Sequence, residues 1–274
     1  MILKKITIQN LGLITDFSHE FTEGLNIVIS PMSQELTFAI RLIINHKITP
    51  PPNFSVGEDT KIEAKIFLSE KEYWAVATYD RVKNDLKLSC YDLYGNDVTN
   101  EYIYLTSRSY EQDLSDVFYD DGDKVLLRFL KYANEDLHYA KDKLADATGG
   151  LSKTNAFRRY LRSFIDNFEP ELLRDNKEYE IVIEKNYRYA VRCKLDGSVT
   201  KSLSQSEKIL FRYLCFLRTA EFWTGFEEMR NMHSIKKPII ICDFLEKLDE
   251  SINTDNLLNR TALLNREAII LTRV

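Results

Sequence analysis

The sequence lacks any apolar run that approaches the ~20 residues a membrane-spanning helix needs. Its first residues alternate between apolar and polar side chains, which is not the pattern of a signal peptide. It also lacks an excess of basic residues, because 37 lysines and arginines stand against 42 aspartates and glutamates. We therefore expect a cytoplasmic protein with no membrane contact, in which any nucleic-acid contact uses a local basic surface.

Cysteine and histidine are scarce and scattered, with four of each. The cysteines have no Cys-x-x-Cys spacing, which favours buried free thiols in a reducing compartment. The histidines lack the spacing of metal ligands. The acidic stretch from Asp113 to Asp123 lacks the regular alternation of a calcium loop, and we interpret it as the solvated start of a helix. We expect no metal site.

The 44% hydrophobic content is ample for the core of one large domain. Period-two apolar patterns predict N-terminal strands, with Ile2, Ile6 and Ile8 on one face of the first strand and the first two strands at a sheet edge. An antiparallel meander follows, and Tyr102 to Leu105 is predicted to add a strand. The predicted strands are residues 2–10, 17–21, 25–29, 62–68, 73–79, 86–93, 179–183, 187–195, 238–243 and 267–272. The predicted helices are residues 35–45, 125–144, 154–168, 206–219 and 255–264.

The length and the order of these elements predict one α/β domain over residues 1–274. Its first lobe is residues 1–115 with the meander, a short helical insertion covers residues 116–178, and the second lobe is residues 179–274. The insertion is broken by Gly149-Gly150 and is too short for long coiled-coil arms, since a ~20-residue helix spans about 30 Å.

Residues 25–37 form a strand, a turn and a helix in the place of a phosphate-binding loop. Such a loop, G-x-x-x-x-G-K-[ST], uses glycine amides, a lysine and a hydroxyl to hold phosphate and magnesium. Ser30 and Glu35 stand at the two glycine positions, and Leu36 stands at the lysine position. Thr37 keeps the hydroxyl. Glu35 puts a carboxylate where phosphate should lie.

Four further segments follow in order along the chain. Leu203-Ser204-Gln205-Ser206-Glu207-Lys208 opens a helix, and by itself it is a serine N-cap with a capping-box glutamate. The apolar strand 239–242 ends in Asp243, with Leu248-Asp249 shortly after it, and Leu271-Thr272-Arg273 ends the last strand. Together with the strand-turn-helix, this order resembles the ATP-binding cassette (ABC) head of the SMC, RecF and Rad50 group of ATPases over nearly the whole chain.

The resemblance implies an α/β ABC head with a mixed sheet around the strand-turn-helix. It also implies that Ser204 and Glu207 match the Leu-Ser-Gly-Gly-Glu signature, which grips the γ-phosphate held by a partner head. Gln205 and Ser206 replace the two signature glycines, and Asp249 matches the D-loop.

The same resemblance assigns the nucleotide site. Asp243 matches the Walker B aspartate that orients magnesium, and Gln112 is a candidate for the glutamine that reaches the metal. Phe244 stands where a glutamate polarises the attacking water, and an aromatic ring cannot accept a proton. Arg273 stands where a histidine senses the γ-phosphate. With the loop lysine and glycines also missing, the pattern indicates a pseudo-ATPase with no catalytic residues and no expected cofactor.

Three functions remain open at this point. The first is a scaffold or regulatory subunit in a DNA-associated repair, mobile-element or phage-defence complex. It would form a homodimer or heterodimer through the face with Ser204 and Asp249, with Arg158, Arg159 and Arg162 as possible DNA contacts. The second is a conditional ATPase subunit that completes a composite ATP and magnesium site in a heterodimer. The third is a metal-dependent nucleic-acid-processing enzyme, supported only by the acidic stretch.

Overall fold

The computed structural model describes residues 1–46, 50–52, 54–107, 179–183, 189–193, 197, 213, 217, 236–248, 250, 254–264 and 267–273. The chain divides into two compact units. The first comprises Met1–Tyr119, Trp223–Glu246 and Leu258–Val274, and the second comprises Asp120–Phe222 and Lys247–Leu257. The predicted helices 125–144 and 154–168 lie outside the described residues.

Five strands of the first unit form an antiparallel sheet, and the predicted meander is confirmed within it. The strands are β1 (Ile2–Leu11), β2 (Ile14–Glu20), β4 (Lys61–Leu68), β5 (Lys71–Asp80) and β6 (Asp85–Tyr91). The order across the sheet is β2-β1-β4-β5-β6, so β1 is an interior strand and β2 is an edge strand. The prediction that both N-terminal strands are edge strands is therefore wrong for β1.

A register shift in β1 changes which of its side chains face the core. The pairing of β1 with β4 slips between Leu3 and Lys5, as in a β-bulge. Because an added residue reverses the alternation on one side of it, Leu3 is buried together with Ile6 and Ile8. Ile2 lies on the opposite face and is only partly buried. The prediction that Ile2 shares the core face is wrong.

Three further strands of the first unit are β3 (Leu25–Ile29), β9 (Ile239–Cys242) and β10 (Ala268–Thr272). They form a parallel sheet with the order β3-β10-β9. Every residue of β9 and β10 is buried, which is why both strands read as continuous apolar runs. Parallel strands end at the same edge of a sheet, so the residues after all three carboxyl ends come together.

Helix α1 (Ser33–Asn45) follows β3 and contacts strands of both sheets. Its apolar residues, among them Leu36, Ile40 and Ile43, lie in the core cluster that the two sheets share. The helix ends at His46, which adopts the left-handed conformation and donates its backbone N–H to Leu42 O at 2.9 Å. Because α1 packs against strands of both sheets, it lies at the centre of the hydrophobic core of the first unit.

Residues 102–105 lie in helix α2 (Thr99–Ser107), so the prediction of a strand there is wrong. Asp97 Oδ1 accepts the Thr99 N–H at 2.9 Å, as a helix-capping side chain does. Tyr102 and Thr106, four residues apart, are the buried face of the helix. The Tyr102 hydroxyl donates to Ile43 O of α1 at 2.9 Å, which is a tertiary contact that alternation along the sequence does not reveal.

In the second unit, β7 (Tyr179–Ile183) pairs antiparallel with β8 (Tyr189–Cys193), and the predicted hairpin is confirmed. Tyr213 and Leu217 are helical and buried, within the predicted helix 206–219.

A short 3-10 turn, Leu245–Lys247, and helix α3 (Thr254–Ala262) precede β10. No helix among the described residues is long and apolar enough to cross a membrane.

Candidate functional site

The candidate site lies at the carboxyl edge of the parallel sheet. Backbone hydrogen bonds continue one residue past β3 and β9, from Ser30 N–H to Thr272 O at 2.8 Å and from Asp243 N–H to Leu271 O at 2.9 Å. The sheet register therefore brings Ser30, Asp243 and Arg273 to one edge. These are three of the residues that the sequence motifs singled out.

Asp243 is held by two side chains. Ser33 Oγ donates to Asp243 Oδ1 at 2.5 Å, and Arg273 Nη2 donates to Asp243 Oδ2 at 3.1 Å. Arg273 Nε also donates to Ser33 Oγ at 3.3 Å, which closes a triangle of three side chains. The Asp243 side chain is 19% exposed and that of Arg273 is 47% exposed. Both carboxylate oxygens of Asp243 thus have a donor, one of them a permanent cation.

The turn between β3 and α1 is shorter than a phosphate-binding loop. Only Ser30, Pro31 and Met32 separate the strand from the helix, which begins at Ser33 and not at the predicted Glu35. Ser30 Oγ accepts the Met32 N–H at 3.1 Å and so closes the turn on itself. Of the four residues between the two glycine positions of the motif, Ser33 and Gln34 already lie in α1.

The short turn changes the position of the motif residues. Leu36 and Thr37, each 1% exposed, lie inside α1 and in the core. The Thr37 hydroxyl donates to Ser33 O at 2.7 Å, one turn back in its own helix. The hydroxyl bonded to Asp243 is therefore that of Ser33, which motif spacing missed because spacing assumes a loop of full length.

The described residues directly after Asp243, Phe244 to Lys247, provide no free carboxylate next to it. Phe244 is 1% exposed and belongs to the interior. Glu246 Oε1 accepts the Thr272 hydroxyl at 2.8 Å and also the Arg273 backbone N–H. Glu246 thereby fastens the end of β10 and helps to place the Arg273 side chain.

Cys242 lies directly under this edge and is a free, buried thiol. Burial raises the pKa of Cys242 to about 11, and hydrogen bonds with Thr37 and Ser33 offset only part of that effect. A thiol with so high a pKa is protonated at neutral pH and is a poor nucleophile. Cys90, the other cysteine whose side chain is described, is also free and buried.

A cleft of about 360 Å³ opens beside the turn. Glu35 faces it and packs against the turn that joins β1 to β2, where a Cβ on Gly12 would lie 2.8 Å from Glu35 Cγ. Gly12, at φ +57, donates its N–H to Ser55 O at 2.9 Å. The lining residues are Gly12, Leu13, Pro31, Gln34, Glu35, Phe54, Ser55 and Arg273.

The groups around this cleft do not fit magnesium triphosphate. Among the described lining residues none is a lysine, and the carboxylate of Glu35 replaces the amides and cations that phosphate requires. Asp243 is engaged by Arg273. Within the described part of the chain, no three histidine, cysteine, aspartate or glutamate side chains come together as they would around a metal ion.

Several predicted site residues lie outside the described residues, and their roles stay predictions. They are Gln112 of the first lobe, the signature-like residues Ser204, Gln205, Ser206 and Glu207, the D-loop residue Asp249, and the basic residues Arg158, Arg159 and Arg162.

No protein-family model and no curated protein matches the sequence. Solved structures do match across the whole chain. The recombination mediator RecF with ATP, from the RecFOR pathway, has 16% identity and a TM-score of 0.50, covering 100% of this chain and 93% of RecF. An SMC head bound to the C-winged helix domain of ScpA has 13% identity and a TM-score of 0.58, covering 99% and 89%. An SMC head with an extended coiled coil, bound to the C-terminal domain of ScpA and derived from Pyrococcus furiosus, has 12% identity and a TM-score of 0.56, again covering 99% and 89%.

Proposed function

We propose, on the premise that this chain has the fold of an ABC ATPase head of the SMC and RecF type, that it is a catalytically inactive head. In this proposal it acts as a scaffold or regulatory subunit of a cytoplasmic, DNA-associated complex. The observation that carries the proposal is the ion pair of Arg273 with Asp243, because it engages the aspartate that such a site needs for magnesium.

The chemistry of a P-loop ATPase explains why the ion pair of Arg273 with Asp243 argues against magnesium binding. Magnesium is held there by a serine or threonine of the loop together with the Walker B aspartate. The corresponding pair here is Ser33 and Asp243, and Arg273 contacts both. A guanidinium supplies positive charge to these oxygens without a metal, and it cannot be deprotonated in a protein. Magnesium would have to displace it.

Two further features support the proposal. Phosphoryl transfer depends on positioning and on charge stabilisation, and the three-residue turn offers no cradle for a triphosphate. Phe244 is buried at the position where the resemblance expects a glutamate, so it cannot orient a water molecule. Because the chain lacks both a cradle for the phosphates and a group that positions water, we expect it not to hydrolyse ATP.

The retained fold supports the proposed scaffold role. The RecF and SMC structures are of a recombination mediator and of heads bound to a partner protein. By analogy with them, the proposed partner is a second head, identical or different, bound through the face with Ser204 and Asp249. DNA is a proposed additional partner through Arg158, Arg159 and Arg162.

Phosphate release with ATP and magnesium tests the proposal. We expect no release above the buffer blank, alone or with linear DNA, and no difference between the wild-type protein and Asp243→Ala. The exposed carboxylate variant Glu20→Gln serves as the matched control for protein preparation. Turnover that Asp243→Ala abolishes and Glu20→Gln preserves would overturn the proposal.

A further inference from the structure

We propose that the cleft beside the shortened turn binds an arginine side chain of a partner protein, with the Glu35 carboxylate as its anchor. This inference rests on the proposed function, since it assigns a new ligand to a cleft that no longer holds a nucleotide. It reverses the charge of the expected ligand from anion to cation. The geometry of Glu35 points to this exchange.

Glu35 is 7% exposed, yet its carboxylate has no hydrogen bond and no ion pair among the described residues. Its oxygens are not among the buried side-chain atoms that are sealed from solvent without a partner. They are therefore reached from the cleft that Glu35 lines. Buried carboxylates are normally paired, so a nearly buried and unpaired one is a receptor for a cation.

Glu35 occupies a helix position that suits a carboxylate. It lies in the first turn of α1, where the positive end of the helix dipole favours a carboxylate. In a phosphate-binding loop the same helix end attracts phosphate instead. Here the carboxylate takes the favourable position itself and repels a phosphate from the cleft.

The walls of the cleft suit a long cationic side chain. Leu13 is 79% exposed at the turn between β1 and β2, and Pro31 and Phe54 add further apolar surface. Such surface packs well against the aliphatic stem of arginine, and an aromatic ring also accepts a guanidinium face. Gln34 and Ser55 supply polar atoms to the same lining.

Other ligands match the lining less well. Arg273, the one cation among the described lining residues, is already paired with Asp243, so it does not offset the repulsion between Glu35 and a phosphate. A single carboxylate provides too few oxygen ligands for calcium or magnesium. A planar guanidinium can bond both oxygens of one carboxylate at once, which favours arginine over lysine.

Titration with N-acetyl-arginine amide, followed by amide chemical shifts of the full chain, tests the inference. We expect saturable shifts at Gly12 and Gln34, and no saturable shifts with the neutral isostere N-acetyl-citrulline amide. Glu35→Gln should weaken binding at least about tenfold, which corresponds to about 1.4 kcal/mol. Glu58→Gln removes an exposed carboxylate that is paired with Arg81, and it should leave binding unchanged.

A second variant keeps the test decisive if Glu35→Gln does not fold. Leu13→Lys adds a positive charge at the exposed rim and should weaken binding several-fold, whereas Leu13→Gln should not. Equal affinity in wild type, Glu35→Gln and Leu13→Lys would overturn the inference, as would saturable binding of Mn²⁺ or inorganic phosphate in the cleft. Magnesium-ATP is titrated separately. Its binding in the cleft defeats the proposed function, whereas the absence of both ATP and arginine binding defeats only this inference.

Discussion

Two acidic residues, Asp243 and Glu267, lie at opposite ends of the parallel sheet and differ in how many of their carboxylate oxygens accept hydrogen bonds. At the carboxyl end, both oxygens of Asp243 accept hydrogen bonds, from Ser33 and Arg273. At the amino end, Glu267 Oε2 accepts the Leu3 N–H at 2.8 Å, but Glu267 Oε1 is buried without a partner. The length of β10 separates the two ends by about 16 Å.

Perturbed groups often mark functional sites, because catalysis needs shifted pKa values. Among the carboxyl groups of the described residues, the one with the large shift is Glu267, whose pKa burial raises to about 7. It lies at the end of the sheet that carries none of the motif residues. The motif aspartate, by contrast, is satisfied by its neighbours. The comparison indicates that the hydrogen bonds of Asp243 stabilise the folded chain at the motif edge. At the opposite edge, burial of a charged Glu267 destabilises it.

The largest expected effect comes from Glu267→Gln. The folded pKa of Glu267, about 7, exceeds the ordinary 4.5, so the native state holds the extra proton between these values. The stability contributed by the protonated form is full below about pH 4.5 and is lost as the pH rises through 7. At pH 8 the variant should therefore be more stable than wild type by about 3 kcal/mol, with little difference at pH 4.5.

Urea unfolding at pH 4.5, 6, 7 and 8 measures this effect. Glu20→Gln is the matched control, because Glu20 is 78% exposed. The comparison of the two sheet ends fails if Glu267→Gln and Glu20→Gln change the pH dependence by the same amount.

The second effect is the loss of stability in Asp243→Ala. Ser33, which is 0% exposed, loses the acceptor of its hydroxyl, and an unsatisfied buried donor costs about 1–3 kcal/mol. We expect destabilisation of about 2 kcal/mol in chemical denaturation at pH 7. Asp16→Ala, at an exposed site of β2, is the control. Unchanged or increased stability of Asp243→Ala would indicate an aspartate kept for binding and not for structure.

The smallest effect is expected from Arg273→Ala. Its side chain is 47% exposed, and partly solvated ion pairs contribute less than about 1 kcal/mol. A double-mutant cycle with Asp243→Ala should give a coupling free energy in that range, since Asp243 keeps Ser33 when the arginine is removed. A coupling of zero would mean that the contact carries no free energy, and the central observation would then lose its weight.

The sequence was sufficient for much of this fold because the parallel strands are continuous apolar runs. The predicted strand at residues 25–29 agrees with β3, and the runs ending at Cys242 and Thr272 correspond to β9 and β10. Local alternation led to the wrong prediction of a strand at residues 102–105. These residues lie in helix α2, and the hydroxyl of Tyr102 donates to α1. Alternation also misled at Ile2, since a bulge cannot be read from alternation alone.

The candidate site was only partly predictable. Asp243 and Arg273 were found because they end apolar strands in a recognisable order, whereas their ion pair depends on β10 lying next to β9. Ser33 was missed because motif spacing placed the hydroxyl at Thr37, and the shortened turn moves it by one helical turn. Spacing along a sequence does not show at which residue a helix begins, whereas backbone geometry does.

Calorimetry of magnesium-ATP binding to the wild-type protein and to Asp243→Ala tests the central claim most directly. The ion pair of Arg273 with Asp243 and the short turn predict no saturable heat in either protein at millimolar ATP. Saturable binding at micromolar ATP that Asp243→Ala abolishes would contradict the account, because Asp243 would then hold a metal and not an arginine.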